Sequence, residues 1–175
     1  MSNSLDQIDE FERQLKNPLD PVLLGGINPE KIVRCFSLFS RFEHAMKCHD
    51  YAHASRTGYI EPDWKKLCKN MSGAFSSLNS KKLVNSVQYL LVNAPKKQTI
   101  HHRWIANPDP NWCRDDSSKA IWRARNVRNN LFHGGKFLDV DKQRDEQLID
   151  AACDILLAVL IIDNTLRQWF EIPPN

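Results

Sequence analysis

The strongest structural signal in this sequence is the spacing of its apolar residues, which is that of α-helices. Between Ser118 and Phe132, apolar residues recur at intervals of three and four, so they share one face of a helix and can enter a core. That stripe consists of Ala120, Ala124, Val127 and Leu131. Strand signals are scarce, because no alternating apolar run is flanked by a hairpin turn. The pattern therefore predicts an all-α fold.

Capping signals divide the chain into four or five main helices, which we expect to form a helical bundle. Asn28 followed by Pro29 is a strong helix start, because asparagine caps the first turn and proline fits its first position. The predicted helices cover residues 28 to about 53, 63–71, a run starting at Ser80, 118–132 and 145–170. We expect residues 1–27 to form an N-terminal helical segment and connector, and residues 28–175 a helical domain. Residues 94–117 show no periodicity and are predicted to form a long loop, typical of a functional or mobile segment.

The composition is that of an ordinary globular protein, with 42% hydrophobic and 26% charged residues. The formal net charge of +3 is compatible with a phosphate-bearing partner without proving one. Five cysteines without a Cys-x-x-Cys pair favour free thiols in a reducing cytosol. The first residues resemble no signal peptide, and the apolar run Ile155–Ile162 is too short to span a bilayer. We therefore expect a cytoplasmic protein with no membrane partner.

A second face of the helix at residues 118–133 carries side chains suited to a phosphodiester. Arg125, Asn129 and His133 lie four residues apart in turn, and Arg128 is near the same face. Arginine stays charged and offers a planar fork of donors, whereas histidine titrates near neutral pH. Together they could cleave RNA without a metal: His133 would act as general base or acid, Arg128 would stabilise the phosphate, and Asn129 would orient one of them. Because the 2′-hydroxyl would be the nucleophile, DNA is excluded as a substrate.

The spacing of Arg128 and His133 leaves the geometry open. In an ideal helix these two side chains point about 140° apart. They converge if the helix loosens at Phe132 and turns at Gly134-Gly135, or if two copies meet across a two-fold axis in a homodimer. The same residues also fit an ordinary helix end, since basic residues stabilise the helix dipole and glycine terminates helices.

The string Arg128-Asn129 followed by His133, late in an all-helical chain, resembles the signature of HEPN domains, the higher eukaryote and prokaryote nucleotide-binding superfamily. The resemblance covers roughly residues 28–170. It implies a metal-independent endoribonuclease that acts as a homodimer, with the arginine and histidine residues of both subunits forming one cleft. Many members are toxins or defence effectors that cut tRNA or other RNA, which makes an antitoxin or defence-system partner an expectation too.

Two further points of the resemblance concern control and activity. The segment Phe39–Lys47 is similar to the first long helix of many members, some of which carry an acidic and a basic residue as Glu43 and Lys47 do. One toxin branch has a tyrosine, modified with AMP by its antitoxin, where this chain has Gly135, so that control is not expected. Other members have lost activity, so a non-catalytic module that binds a nucleotide, RNA or a partner protein remains an alternative.

The remaining candidates are weaker. A basic and aromatic patch in the long loop could follow an RNA backbone and stack a base, although a solvated loop is the simpler interpretation. It contains Lys96, Lys97, His101, His102, Arg103 and Trp104. The candidate RNA contacts are Arg125, Lys136, Lys96 and Lys97.

Other charged and metal-binding residue types have simple structural explanations. Glu43 and Lys47 are most simply an ion pair between residues four apart, with support of the site as the second interpretation. Asp163 is predicted to pair with an arginine in the core. His101, His102 and Cys113 have no paired zinc-ligand spacing, and no phosphate-binding or dinucleotide loop is present, so no metal or cofactor is assigned.

Overall fold

The computed structural model describes residues 7–15, 26–101, 103–132 and 141–172. Within these ranges the chain is mostly helical, and the predicted all-α bundle is confirmed. The helices are α1 (Gln7–Arg13), α2 (Pro29–Cys48), α3 (Trp64–Asn70), α4 (Lys81–Val92), α5 (Asp116–Phe132), α6 (Lys142–Ile162) and α7 (Asn164–Phe170), with a 3-10 turn at Ala74–Ser77. Two short antiparallel pairs join β1 (Ala52–Ala54) to β2 (Ile60–Pro62) and β3 (Lys97–Gln98) to β4 (Trp104–Ile105).

Helix α6 forms the centre of the bundle, packed against α2, α4 and α5. Most of its residues between Leu148 and Leu160 are buried, including Leu156 and Val159, which are fully inaccessible. Full burial of each such side chain contributes about 1.5–3 kcal/mol, so the most apolar helix of the sequence takes the most central place. The predicted stripe of α5 also lies in the core: Ala120, Ala124, Val127 and Leu131 are all buried. This packing directs the other faces of α5 away from α6.

The helix starts predicted from capping residues are confirmed. The side chain of Asn28 accepts a hydrogen bond from the Glu30 amide at 2.9 Å. Asp63 and Ser80 cap α3 and α4 in the same way, at 2.9 Å and 3.2 Å. Such caps are local interactions worth about 1 kcal/mol each, so the sequence alone is enough to predict them.

The predicted ends of two helices are wrong. Helix α2 stops at Cys48 instead of continuing to about residue 53, because residues 52–54 pair with β2. The predicted final helix is two helices, α6 and α7, separated by Asp163 in an extended conformation. The Asp163 side chain accepts from the Leu166 amide at 2.8 Å and from the Tyr51 hydroxyl at 2.8 Å. Its partner is therefore a tyrosine rather than the predicted arginine, and burial followed by this hydrogen bond raises the pKa of Tyr51 to about 12.

The long loop predicted for residues 94–117 contains the β3–β4 hairpin, and this pair and β1–β2 are two short sheets that the scarce strand signals did not locate. Asp109, later in the same loop, accepts two hydrogen bonds from Arg123 of α5, at 2.9 Å and 2.6 Å. Arg123 also donates to the carbonyls of Leu90 and Leu91 at 2.9 Å and 2.7 Å. One arginine thus fixes the loop to the end of α4 and to the middle of α5.

The carboxylate of Asp115 lies at the start of α5 and joins this helix to the turn at Ser72 and Gly73. It accepts from the Ser118 amide at 3.0 Å, from the Ser72 hydroxyl at 2.5 Å and from the Gly73 amide at 3.0 Å. Burial alone would raise the pKa of Asp115, but these hydrogen bonds outweigh it and bring the pKa to about 2. Gly73 has a positive φ of 68°, a conformation that favours glycine at this turn.

Several properties of the described residues bear on function. None of their helices combines the length and apolar character needed to cross a bilayer. Their His, Cys, Asp and Glu side chains form no group of three or more that could hold a metal ion. All five cysteines are free thiols; Cys48, at the end of α2, is exposed, and the other four are buried.

Candidate functional site

The last turns of α5 carry the described part of the predicted catalytic motif. Arg128 follows Val127 of the core stripe, so its side chain leaves the core and reaches α2. Its guanidinium forms an ion pair with Glu43 and donates to the Asn129 side-chain oxygen at 2.8 Å. Because the Arg128 and Glu43 side chains are only 23% and 16% exposed, the pair is partly shielded from solvent. The guanidinium is thus held in place by a carboxylate and an amide.

Glu43 has a different partner from the one predicted. The sequence favoured an ion pair with Lys47 on the surface of α2, but the described ion pairs place Glu43 on Arg128 instead. The interaction joins two helices that are distant in sequence, so the helical spacing could not predict it. Its consequence is that Glu43 belongs to the arginine site, whereas Lys47 is a partly buried residue in the last turn of α2.

Arg125 lies one turn earlier on α5, against an aromatic pair. Its guanidinium carbon is 4.7 Å from the centre of the Trp122 ring, and Trp122 meets Trp112 edge-on at 5.0 Å. Burial, followed by the positive charge of Arg128, lowers the pKa of Arg125, while Glu43 opposes the shift. An arginine remains charged at neutral pH despite such a shift. Among the described residues, these two guanidiniums therefore interact with the single carboxylate of Glu43, which leaves excess positive charge in this group of three side chains.

The β3–β4 hairpin lies beside the same helix end. The side-chain amide of Asn130 donates to the Lys96 carbonyl oxygen at 2.5 Å and so fastens the hairpin to α5. Lys96, Lys97 and Arg103 are exposed on this segment. We call residues 96–105 the basic hairpin; His102 within it lies outside the described residues. The structure therefore brings the predicted RNA contacts Lys96 and Lys97 to the helix that carries Arg128.

The sequence interpretation missed Asn130 as a site residue. The only signal was the doubled asparagine in Arg128-Asn129-Asn130, and helical spacing turns Asn130 about 200° away from Arg128. Its partner is a backbone carbonyl. Every residue has one, so the sequence cannot show which carbonyl Asn130 contacts. Asn130 could be identified only once the hairpin was placed.

Exposed apolar side chains border the arginine site. The Phe36 and Phe132 rings meet edge-on with centroids 5.6 Å apart, yet they are 57% and 41% exposed. Val33, one turn before Phe36, is 64% exposed. We call these three residues the apolar patch. Val33 and Phe36 belong to the apolar residues of α2, but the core side of that helix is occupied by Phe39 and Phe42.

Two predicted site residues, His133 and Lys136, lie outside the described residues, so their positions remain predictions. The described helix ends at Phe132, the residue directly before His133. Of the predicted catalytic residues, Arg128 and Asn129 are brought into direct contact, with Glu43 as the supporting residue.

A scan against protein-family models and searches of curated proteins and solved structures found no match to this chain.

Proposed function

We propose that this protein is a metal-independent endoribonuclease of the HEPN type. The observation that carries the proposal is the fixed guanidinium of Arg128, bonded to Asn129 and paired with Glu43, at the helix end directly before His133. The basic hairpin at the same helix end offers exposed cations for neighbouring phosphates, which are the main source of affinity for nucleic acid. These features suit RNA better than a small neutral substrate.

The proposed reaction is transesterification followed by release of the two RNA ends. His133 takes the proton of a 2′-hydroxyl, and that oxygen attacks the adjacent phosphorus. Arg128 stabilises the extra negative charge of the pentavalent centre, and Asn129 holds the guanidinium in orientation. The bond from phosphorus to the 5′-oxygen then breaks, giving a 2′,3′-cyclic phosphate and a 5′-hydroxyl that takes up a proton. Removal of one donor to such a charge typically costs about 100- to 1000-fold in rate.

We further propose that the active form is a homodimer joined near the apolar patch. Exposed aromatic residues that cluster together are typical of interaction surfaces. The patch includes Phe132, so a two-fold contact there would bring the ends of both α5 helices together. An arginine of one copy could then act with a histidine of the other, which removes the problem of the 140° between them in an ideal helix.

The direct test is cleavage of RNA in EDTA. We expect purified protein to cut total RNA and a defined oligonucleotide, leaving 2′,3′-cyclic phosphate ends. His133→Ala and Arg128→Ala should each reduce the rate at least 100-fold, whereas Arg56→Ala, an exposed arginine between β1 and β2, should leave it unchanged. Cleavage of a matching 2′-deoxy substrate, a requirement for Mg²⁺, or equal inactivity of wild type and variants would contradict the mechanism.

A role as a cytoplasmic toxin or defence effector, held in check by an antitoxin or a defence-system partner, fits such an activity. Expression of the wild-type chain in bacteria should then arrest growth, and His133→Ala should restore it. Arrest by both forms would argue that toxicity has a cause other than RNA cleavage.

The second candidate is a non-catalytic module of the same type that binds a nucleotide, RNA or a partner protein. The ion pair between Arg128 and Glu43 favours it, because the carboxylate already neutralises much of the charge that a scissile phosphate would need. This candidate predicts RNA binding without cleavage and no growth arrest from either the wild type or His133→Ala.

A further inference from the structure

A cavity lies beside the proposed site, on another face of α5. It is partly open to solvent and is lined by the basic hairpin, the last turns of α5 and the first turns of α6, and its volume is about 140 Å³. Val127, Leu131 and Leu148 supply a buried apolar wall, Trp104 contributes an aromatic side chain, and Asn130 and Arg144 add polar groups. Asp141 and Asp145 also line it, so the cavity combines an apolar wall with charged groups of both signs. Sites for small ligands usually combine an apolar wall with a few polar groups.

The size of the cavity limits what can enter it. An apolar protein cavity of roughly 150 Å³ accommodates one benzene molecule. The space here is close to that value, so it suits a single six-membered ring. Among nucleobases, this favours the one-ring pyrimidines over the two-ring purines, and an aromatic side chain such as that of Trp104 offers a surface for base stacking.

The polar groups can recognise the edge of such a ring. Asn130 uses one amide hydrogen for the Lys96 carbonyl, so its other amide hydrogen and its side-chain oxygen remain to pair with a ligand. Its side-chain oxygen accepts no hydrogen bond within the described residues. Arg144 is held by the Ala94 carbonyl at 3.3 Å and by Asp145 at 3.6 Å, which fixes a cation at the wall. Together they supply the donors and the acceptor that a uracil or cytosine edge requires.

The position of the cavity relates it to Arg128. Asn130 follows Arg128 by two residues, a rise of about 3 Å along the helix. The helical period also turns the two side chains about 200° apart, so a base in the cavity would belong to a nucleotide on the other side of the helix end from a phosphate held by Arg128. Lys96 and Trp104 of the basic hairpin border the cavity, and the RNA backbone would pass over this hairpin.

We propose that this cavity binds a pyrimidine base of the RNA substrate, on the side of α5 away from the phosphate that is cleaved. The role of this base site in cleavage rests on the proposed endoribonuclease function. The base site gives the structural source of a sequence preference: a uridine or cytidine should recur at a fixed position relative to the cleaved bond.

Binding can be tested without cleavage, using mononucleotides that contain no scissile bond. We expect UMP and CMP to shift the indole N–H signal of Trp104 in NMR spectra, where Trp104→Phe identifies the signal. AMP, GMP and ribose 5-phosphate should shift it far less. Asn130→Ala should weaken UMP binding about 5- to 10-fold, the effect of one hydrogen bond, and Asn85→Ala on the exposed side of α4 is the matched control.

A second variant guards against an indirect effect, because Asn130→Ala also releases the basic hairpin. Val127→Ile adds one methyl group to the cavity wall and leaves the bond between Asn130 and Lys96 in place. We expect it to weaken UMP binding as well, with thermal unfolding measured to confirm that both variants fold. Unchanged UMP binding in both variants would overturn the proposal, as would equal shifts from ribose 5-phosphate or from the purine nucleotides.

The outcomes separate this inference from the proposed function. RNA cleavage in EDTA without a pyrimidine preference, together with no UMP binding, would overturn the base site and leave the ribonuclease in place. UMP binding at Trp104 without RNA cleavage would keep the base site and overturn the ribonuclease, leaving the binding module.

Discussion

Two arginines on the same helix, Arg123 and Arg128, have different surroundings. Arg123 makes four hydrogen bonds, two to the Asp109 carboxylate and two to carbonyls at the end of α4. Arg128 has Glu43 and Asn129 as its partners among the described residues. The first arginine has nearly all of its five N–H donors in structural use, whereas the second retains donors for a ligand. The first half of α5 therefore anchors the fold, whereas its last turns carry the guanidinium that can still bind a ligand.

The largest expected loss of stability comes from Arg123→Ala. Removal of this guanidinium leaves Asp109 charged and only 12% exposed, together with two unpaired carbonyls. Loss of one partner of such a pair costs about 3–5 kcal/mol of unfolding free energy. Urea denaturation should show this loss, whereas Arg114→Ala, an exposed arginine of the same loop, should change the free energy by less than about 0.5 kcal/mol. A loss below 1 kcal/mol for Arg123→Ala would remove the distinction between the two arginines.

Asp115→Asn should give the next largest loss, about 1–2 kcal/mol at pH 7, because Asp115 accepts hydrogen bonds from three residues. The folded pKa of about 2 lies below the ordinary value of 3.8, so the stabilisation is complete above about pH 5 and is lost as the pH falls toward 2. Unfolding free energies measured between pH 7 and pH 2 should converge for wild type and variant. A constant difference across that range would show that Asp115 contributes through contacts other than its charge.

Glu43→Gln should cost less, about 1 kcal/mol, because the pair with Arg128 is partly exposed. Its effect on activity should be specific: without the carboxylate, Arg128 binds RNA more tightly but is less well oriented. We expect both kcat and KM for RNA cleavage to fall, with kcat reduced about tenfold. Glu61→Gln, which removes an exposed carboxylate of β2, is the control and should change neither. A fall in kcat with an increased KM would assign Glu43 a merely structural role.

Phe36→Ser should change the stability of the monomer least, by less than about 1 kcal/mol, because Phe36 is largely exposed. It should nevertheless weaken the proposed homodimer, which sedimentation velocity can measure. Val84→Ser on α4 removes a similarly exposed apolar side chain at 60% exposure and should leave the dimer intact. Dissociation caused by Val84→Ser instead would place the interface on α4 and separate it from the arginine site.

Local signals in the sequence predicted much of the fold. The caps Asn28, Asp63 and Ser80 and the core stripe of α5 depend on residues within a few positions of one another. In contrast, the break at Asp163 requires the hydroxyl of Tyr51, which is distant in sequence. Ile161 and Val84 are apolar residues of α6 and α4 that lie exposed, and their exposure also depends on which helices pack against α6 and α4. Periodicity shows which residues share a helix face, and tertiary packing decides whether a partner covers it.

The candidate site was predictable to a similar degree. The chemical character of Arg128 and Asn129 identified the helix end, and the helical period placed them away from the core. Glu43 was found as a supporting residue, but with the wrong partner, because charges on separate helices have no fixed spacing in the sequence. Asn130 and the cavity were missed, since they depend on where the hairpin docks.

The distribution of thiols offers a direct experimental use. Cys48 is exposed at the end of α2, whereas the other four cysteines are buried, so a maleimide reagent should modify one position under native conditions. A spin label attached there would report one distance between two copies of the chain without any engineered cysteine. Pulsed electron paramagnetic resonance on the wild-type protein could then measure how the two α2 helices lie across a symmetry axis.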